Sequence, residues 1–111
     1  MNTNKKRVFI CSPYRINEHI KNTKEYAERC CIAACEKGVA PFAPHAFYTN
    51  FLDDDNPDAR TIGMECGIAY LAICEELWVC STYISEGMQQ EIDFALSKGI
   101  AVKHYFETLL D

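Results

Sequence analysis

Between Ser85 and Glu91 the chain reads Ser-Glu-Gly-Met-Gln-Gln-Glu: a hydroxyl, a glycine that admits a ligand, and a carboxylate one helical turn after it. Just upstream, Leu77-Trp78-Val79-Cys80 is a short apolar run of the kind that forms a strand buried on both faces. Downstream, Met88, Ile92, Ala95 and Leu96 follow a helical period. Glu91 is therefore expected near the N-terminus of a helix that follows a central strand. Ligands of open α/β sheets bind outside the carboxyl ends of strands. Helix N-termini favour anions through free N–H groups and the macrodipole. Two readings fit the segment alone: a nucleophilic carboxylate, or a solvated first-turn acid held by the dipole.

Other loops fall at the same sheet edge. Ser12-Pro13-Tyr14-Arg15 follows the first strand, and Ser12 with Arg15 suits a phosphate or carboxylate beside the next helix; the alternative is a proline-fixed turn with a solvent-facing arginine. His45 follows Pro44 at a strand end, where its imidazole either bonds a sugar hydroxyl or satisfies a loop carbonyl. Asp53-Asp54-Asp55 precedes Asn56-Pro57, and successive residues there point in different directions; capping by Asp55 or Asn56 explains the run better than magnesium. Tyr14, Tyr48 and Tyr83 are placed in loops and suit packing against a base, while Trp78 belongs to the core. Cys11 and Arg15 are too close for the cradle of a thiol phosphatase. Neither a G-x-G-x-x-G nor a Walker lysine is present, so no nucleotide cofactor is implied.

The elements that must position these residues alternate. Strands are expected at Arg7 to Cys11, Val39 to Ala43, Leu77 to Cys80 and Ile100 to His104. A first helix spans roughly Asn17 to Lys37, with Ile20, Thr23, Ala27, Cys30/Cys31 and Ala34 on one face and Gly38 as its stop. A loop with a turn of helix covers Ala46 to Leu52. A helix opening at Asn56-Pro57 is expected to bury Ile62, Cys66, Ala69 and Ile73, and another covers Gly87 to Lys98. This βαβαβαβ order implies a small doubly wound parallel sheet of four strands, order 2-1-3-4, with helices on both faces.

Composition agrees with one domain over residues 1–111 and a single core, 49% of residues being hydrophobic. A net charge of -5 without a cationic cluster beyond Lys5-Lys6-Arg7 argues against a nucleic-acid polymer as partner and for a small molecule. Seven cysteines is an odd number, no secretory leader is legible before Lys5, and the residues fall inside apolar periodic segments. They read as reduced, buried thiols of a cytoplasmic protein. Cys31 and Cys35 lack the partners of a zinc site, and no apolar run approaches membrane-spanning length.

The residues Ser12-Pro13-Tyr14-Arg15, Pro41-Phe42-Ala43-Pro44-His45, Phe51-Leu52-Asp53-Asp54, Glu76-Leu77-Trp78-Val79 and, above all, Ser85-x-Gly87-x-x-x-Glu91 carry a likeness over nearly the whole chain. By them the chain resembles the nucleoside 2-deoxyribosyltransferase-like superfamily, including its deoxynucleoside 5'-monophosphate N-glycosidase branch and small bacterial and phage proteins beside them. The resemblance implies that Glu91 attacks the anomeric carbon and that Ser85 and Gly87 line the phosphate or 5'-hydroxyl end, with Ser12 and Arg15 on the same group. It implies retaining glycosyl transfer on a nucleoside or its monophosphate, no cofactor, and a homodimer or higher homo-oligomer. The sequence departs from the family at Gly67-Ile68-Ala69, where members carry an aspartate on the helix before the third strand. Glu86, beside the expected phosphate position, also opposes an anion there. An N-glycoside hydrolase or transferase and a non-catalytic nucleotide-binding domain both remain open.

Overall fold

The computed structural model describes residues 1–14 and 21–105. Four strands, β1 (Arg7–Cys11), β2 (Ala40–Phe42), β3 (Glu76–Val79) and β4 (Ala101–His104), form one sheet in the order β2-β1-β3-β4. Every neighbouring pair is parallel, with Phe9 opposite Phe42 and Leu77, and Val79 opposite His104. The fold is a doubly wound α/β sheet in the expected strand order.

The pleat sorts the central strands by alternation. Val8, Ile10, Trp78 and Cys80 pack on one face against Ala27, Cys30 and Ala34 of α1 (Thr23–Glu36). On the other face Phe9, Cys11, Leu77 and Val79 meet Leu71 of α3 (Pro57–Leu71) and Met88, Ile92 and Ala95 of α4 (Glu86–Ser97). Each long helix has a side-chain cap. Asn22 accepts from the Glu25 N–H, Asn56 from those of Asp58 and Ala59, and Ser85 from that of Met88. Gly38 and Gly99 follow α1 and α4 at φ 86° and 72°, a conformation that favours glycine after a helix.

Several boundaries differ from the sequence reading. The described part of the first helix starts at Thr23, and the expected stretch from Asn17 begins outside the described residues. Pro44 opens a short helix, α2 (Pro44–Tyr48), so His45 and Tyr48 are helical rather than in a loop. The largest correction concerns α3. Ile62 and Ile73, expected inside, are 53% and 56% exposed, whereas Gly67 and Leu71 face inward. A Cβ on Gly67 would stand 3.2 Å from Pro44 Cβ, so the helix turns its narrowest side toward α2 and its bulkier apolar side outward. Leu96 likewise points outward from α4.

At the N-terminal end of the sheet, buried Glu76 is held by Lys6 at 2.7 Å, Lys103 at 3.0 Å and the Trp78 indole N–H at 2.8 Å. Burial pushes its carboxyl up, but these three donors outweigh that and bring it down to about 2. Glu75 beside it pairs with Arg7. These two acids are therefore engaged far from the carboxyl edge. Trp78 lies in the core, its ring 4.3 Å from that of Tyr105.

Candidate functional site

Glu91 is only 1% exposed. It lies in the second turn of α4 on the inward stripe Met88, Glu91, Ile92 and Ala95, so the solvated first-turn reading is overturned. Its carboxylate Oε1 accepts from the Cys11 thiol at 3.4 Å, where Cys11 ends β1. That thiol also lies 3.8 Å from the Met88 carbonyl. Burial raises the Glu91 carboxyl to about 8, and the Cys11 bond opposes only part of the rise. Burial, with Glu91 next, pushes the Cys11 thiol well above its usual range.

Tyr14 joins this carboxylate to the rest of the edge. Burial raises its phenol most, and the nearby charges of Glu91, Cys11 and Asp54 add to it, while Arg60 opposes them. Its ring lies 4.5 Å from the His45 imidazole. The Thr23 hydroxyl donates to the Tyr14 carbonyl at 2.8 Å and stands 2.8 Å from His45 Nε2. A hydroxyl has one hydrogen, so Thr23 accepts from His45 Nε2–H, and Nδ1 is left as an acceptor. Burial lowers the His45 pKa, with Asp54 pulling the other way and Lys24 adding to the fall. The ring is thus neutral around pH 7. Ser12 Oγ, Tyr14 OH and His45 Nδ1 are buried and have no hydrogen-bond partner among the described residues. Leaving such atoms unpaired costs about 1–3 kcal/mol each, a cost that a hydroxyl-bearing ligand removes.

An open cavity of about 680 Å³ adjoins, lined by Asp54, Arg60, Met64, Glu86, Gly87 and Gln90 among others. Glu91 is not in its wall. Asp54 and Arg60 also line a narrow recess with Tyr14 and Tyr48, and so stand between the cavity and Tyr14. Gly87 faces the cavity and a Cβ there would meet Met64 at 3.8 Å, an ordinary contact. Ser85 spends its hydroxyl on capping α4.

Of the residues singled out in the sequence, Tyr14, His45 and Glu91 gather around this edge, together with Ser12 in the same loop as Tyr14. Arg15 lies outside the described residues. Tyr83 is 42% exposed, and Tyr48 meets Phe42, Phe47 and Phe51 edge to face. The sequence reading missed Cys11, Thr23, Asp54 and Arg60 as neighbours of the site. Asp54 is the half-buried member of the acidic run: Asp53 before it accepts from the Asp55 N–H, and Asn56, the residue after the run, caps α3. Among the described residues no group of three or more His, Cys, Asp or Glu is placed to hold a metal ion, and no helix is long and apolar enough to cross a membrane.

Residues 6–105 match the family described as "Domain of unknown function (DUF7768)". The chain belongs to that family. No curated protein matches this DUF7768 chain in sequence. Among solved structures it is similar to a 2-deoxyribosyltransferase from the psychrotolerant bacterium Bacillus psychrosaccharolyticus. The TM-score is 0.68 at 11% identity, over 91% of this chain and 74% of that one. At that identity the likeness establishes the fold.

Proposed function

We propose that residues 1–111 form one nucleoside 2-deoxyribosyltransferase-like domain. In this reading it cleaves the N-glycosidic bond of a nucleoside or nucleoside 5'-monophosphate through Glu91. The observation that carries the reading is a carboxylate buried to 1% exposure and kept basic at a sheet edge, with three unpartnered polar atoms in the loop after β1 and the first turn of α2. The ionised Glu91 attacks C1', the bond to the base breaks with its electron pair on the base nitrogen, and a glycosyl ester forms on Glu91. Water, or a second base, then attacks the same carbon and frees the carboxylate. Ser12, Tyr14 and His45 bond the sugar, with His45 Nδ1 accepting from a hydroxyl. Gly87 lets the 5' end approach along the cavity, Ser85 sets the start of α4 beneath it, and Arg15 takes the phosphate where there is one.

The proton on the departing base needs an acid. Gly67 cannot supply it, and Asp54 is the candidate, since it lines the cavity and acts on both Tyr14 and His45. Assembly as a homodimer is part of the proposal, with the outward apolar stripe of α3 as the surface that a second copy covers. The seven cysteines are free, in keeping with a reducing, cytoplasmic setting. Incubation with a panel of nucleosides and monophosphates should release free base, and Glu91→Gln should abolish it. The empty Gly67 position favours a second reading, a nucleotide-binding module without turnover. Binding without base release from any member of the panel would establish that one instead.

A further inference from the structure

We propose that Cys11 is the positioning residue for Glu91: its thiol holds Oε1 in place. Cys11 Sγ lies 3.4 Å from Oε1 and is the hydrogen-bond donor to Glu91 among the described residues, while Oε2 carries no such bond. The thiol is fixed from behind. Cys11 is fully buried, sits opposite Val79 in the sheet, and has the Met88 carbonyl as its other acceptor at 3.8 Å. One S–H therefore ties the end of β1 to the first and second turns of α4. The titratable groups facing Glu91 are Cys11 from β1 and Tyr14 from the loop after it; Asp54 and Arg60 act on Tyr14. The choice of sulfur matters because S–H is a weak donor. A hydroxyl in its place, once the shorter side chain has closed to hydrogen-bond distance, would stabilise the charge more, making it a poorer nucleophile.

This inference rests on the proposed role of Glu91 for its consequence in catalysis, but its test does not. The Glu91 side-chain carboxyl is titrated by carbon-13 NMR in the wild-type chain, Cys11→Ser and Cys11→Ala, with base release followed in parallel. The expected order of titration midpoints is Cys11→Ala above wild type above Cys11→Ser. Proton affinity should differ by at least about tenfold between the two variants, as the loss or strengthening of a charge-assisted bond requires. Both substitutions shrink the side chain, so a packing role alone would move stability the same way in both and leave the midpoints together. Coincident midpoints, or Cys11→Ser above wild type, would overturn the inference. Where Cys11→Ala fails to fold, the comparison of wild type with Cys11→Ser decides. Midpoints in the expected order with no base released by any chain would uphold Cys11 as the partner of Glu91 and remove the nucleophile instead.

Discussion

Keeping Glu91 inside an apolar stripe costs folding free energy whenever the carboxyl ionises. Its pKa is about 8 in the folded chain against an ordinary 4.5, so the folded state holds the extra proton between those values. Stability from this group is complete below pH 4.5 and is lost as pH rises through 8. Glu91→Gln should therefore stabilise the chain by on the order of 4 kcal/mol at pH 8 and hardly at all near pH 4.5, measured by urea unfolding at both pH values. In the proposed reaction the same proton blocks attack. In Asp54→Asn, where the proposed acid no longer titrates, the residual base release should climb about tenfold per pH unit up to about pH 8 and then level, in a kcat/KM profile of the free enzyme. Asp54→Asn should slow release by about 10²–10⁴-fold while leaving binding of the uncharged nucleoside nearly unchanged, as steady-state kinetics and calorimetry would show. Glu91 was legible as a candidate from its spacing to Ser85 and Gly87. Its burial was not read, because the helical stripe was assigned to Met88, Ile92, Ala95 and Leu96, although Met88, Glu91, Ile92 and Ala95 follow the i, i+3, i+4, i+7 period of an inward face. The partnership with Cys11 was not legible, since the two residues are 80 positions apart and meet only once β1 lies under α4.

The elements themselves were largely readable: short apolar runs gave the central strands, and Asn56-Pro57 and Gly38 marked helix ends. The face of α3 was not readable from residue type, because its contact with α2 depends on a missing side chain. Gly67 and Gly63 make the point testable. Gly67→Ala sets a methyl 3.2 Å from the buried Pro44 ring and should cost about 1 kcal/mol net, overpacking exceeding the gain in helix propensity. Gly63→Ala meets Leu52 at 3.6 Å, an ordinary contact, and should stabilise by about 0.5–1 kcal/mol. Thermal unfolding of the pair should show shifts of opposite sign. The same closeness explains why an aspartate does not fit at Gly67 unless α2 moves, which leaves the acid to come from the loop ahead of α3.

Across the whole molecule the two ends of the sheet respond oppositely to protons. Glu76, held down to about 2, contributes stability above its ordinary 4.5 that is lost as pH falls through 2, while Glu91 acts in the reverse sense above 4.5. These two groups together favour greatest stability in mildly acidic solution. The outward stripe of α3, continued by Ile73 in the turn after it, gives a further expectation at this scale. Sedimentation should show a dimer that Ile62→Glu with Ile73→Glu converts to a monomer of unchanged secondary structure, because both residues are more than half exposed in the single chain. The clamp on Glu76 has a practical consequence as well. Its indole donor is the only tryptophan in the chain, buried in the sheet and stacked on Tyr105. Intrinsic fluorescence excited at tryptophan is therefore a label-free optical reporter of sheet integrity and of the carboxylate clamp. It should change as the chain unfolds or as acid protonates Glu76, and stay nearly constant while a ligand fills the opposite edge.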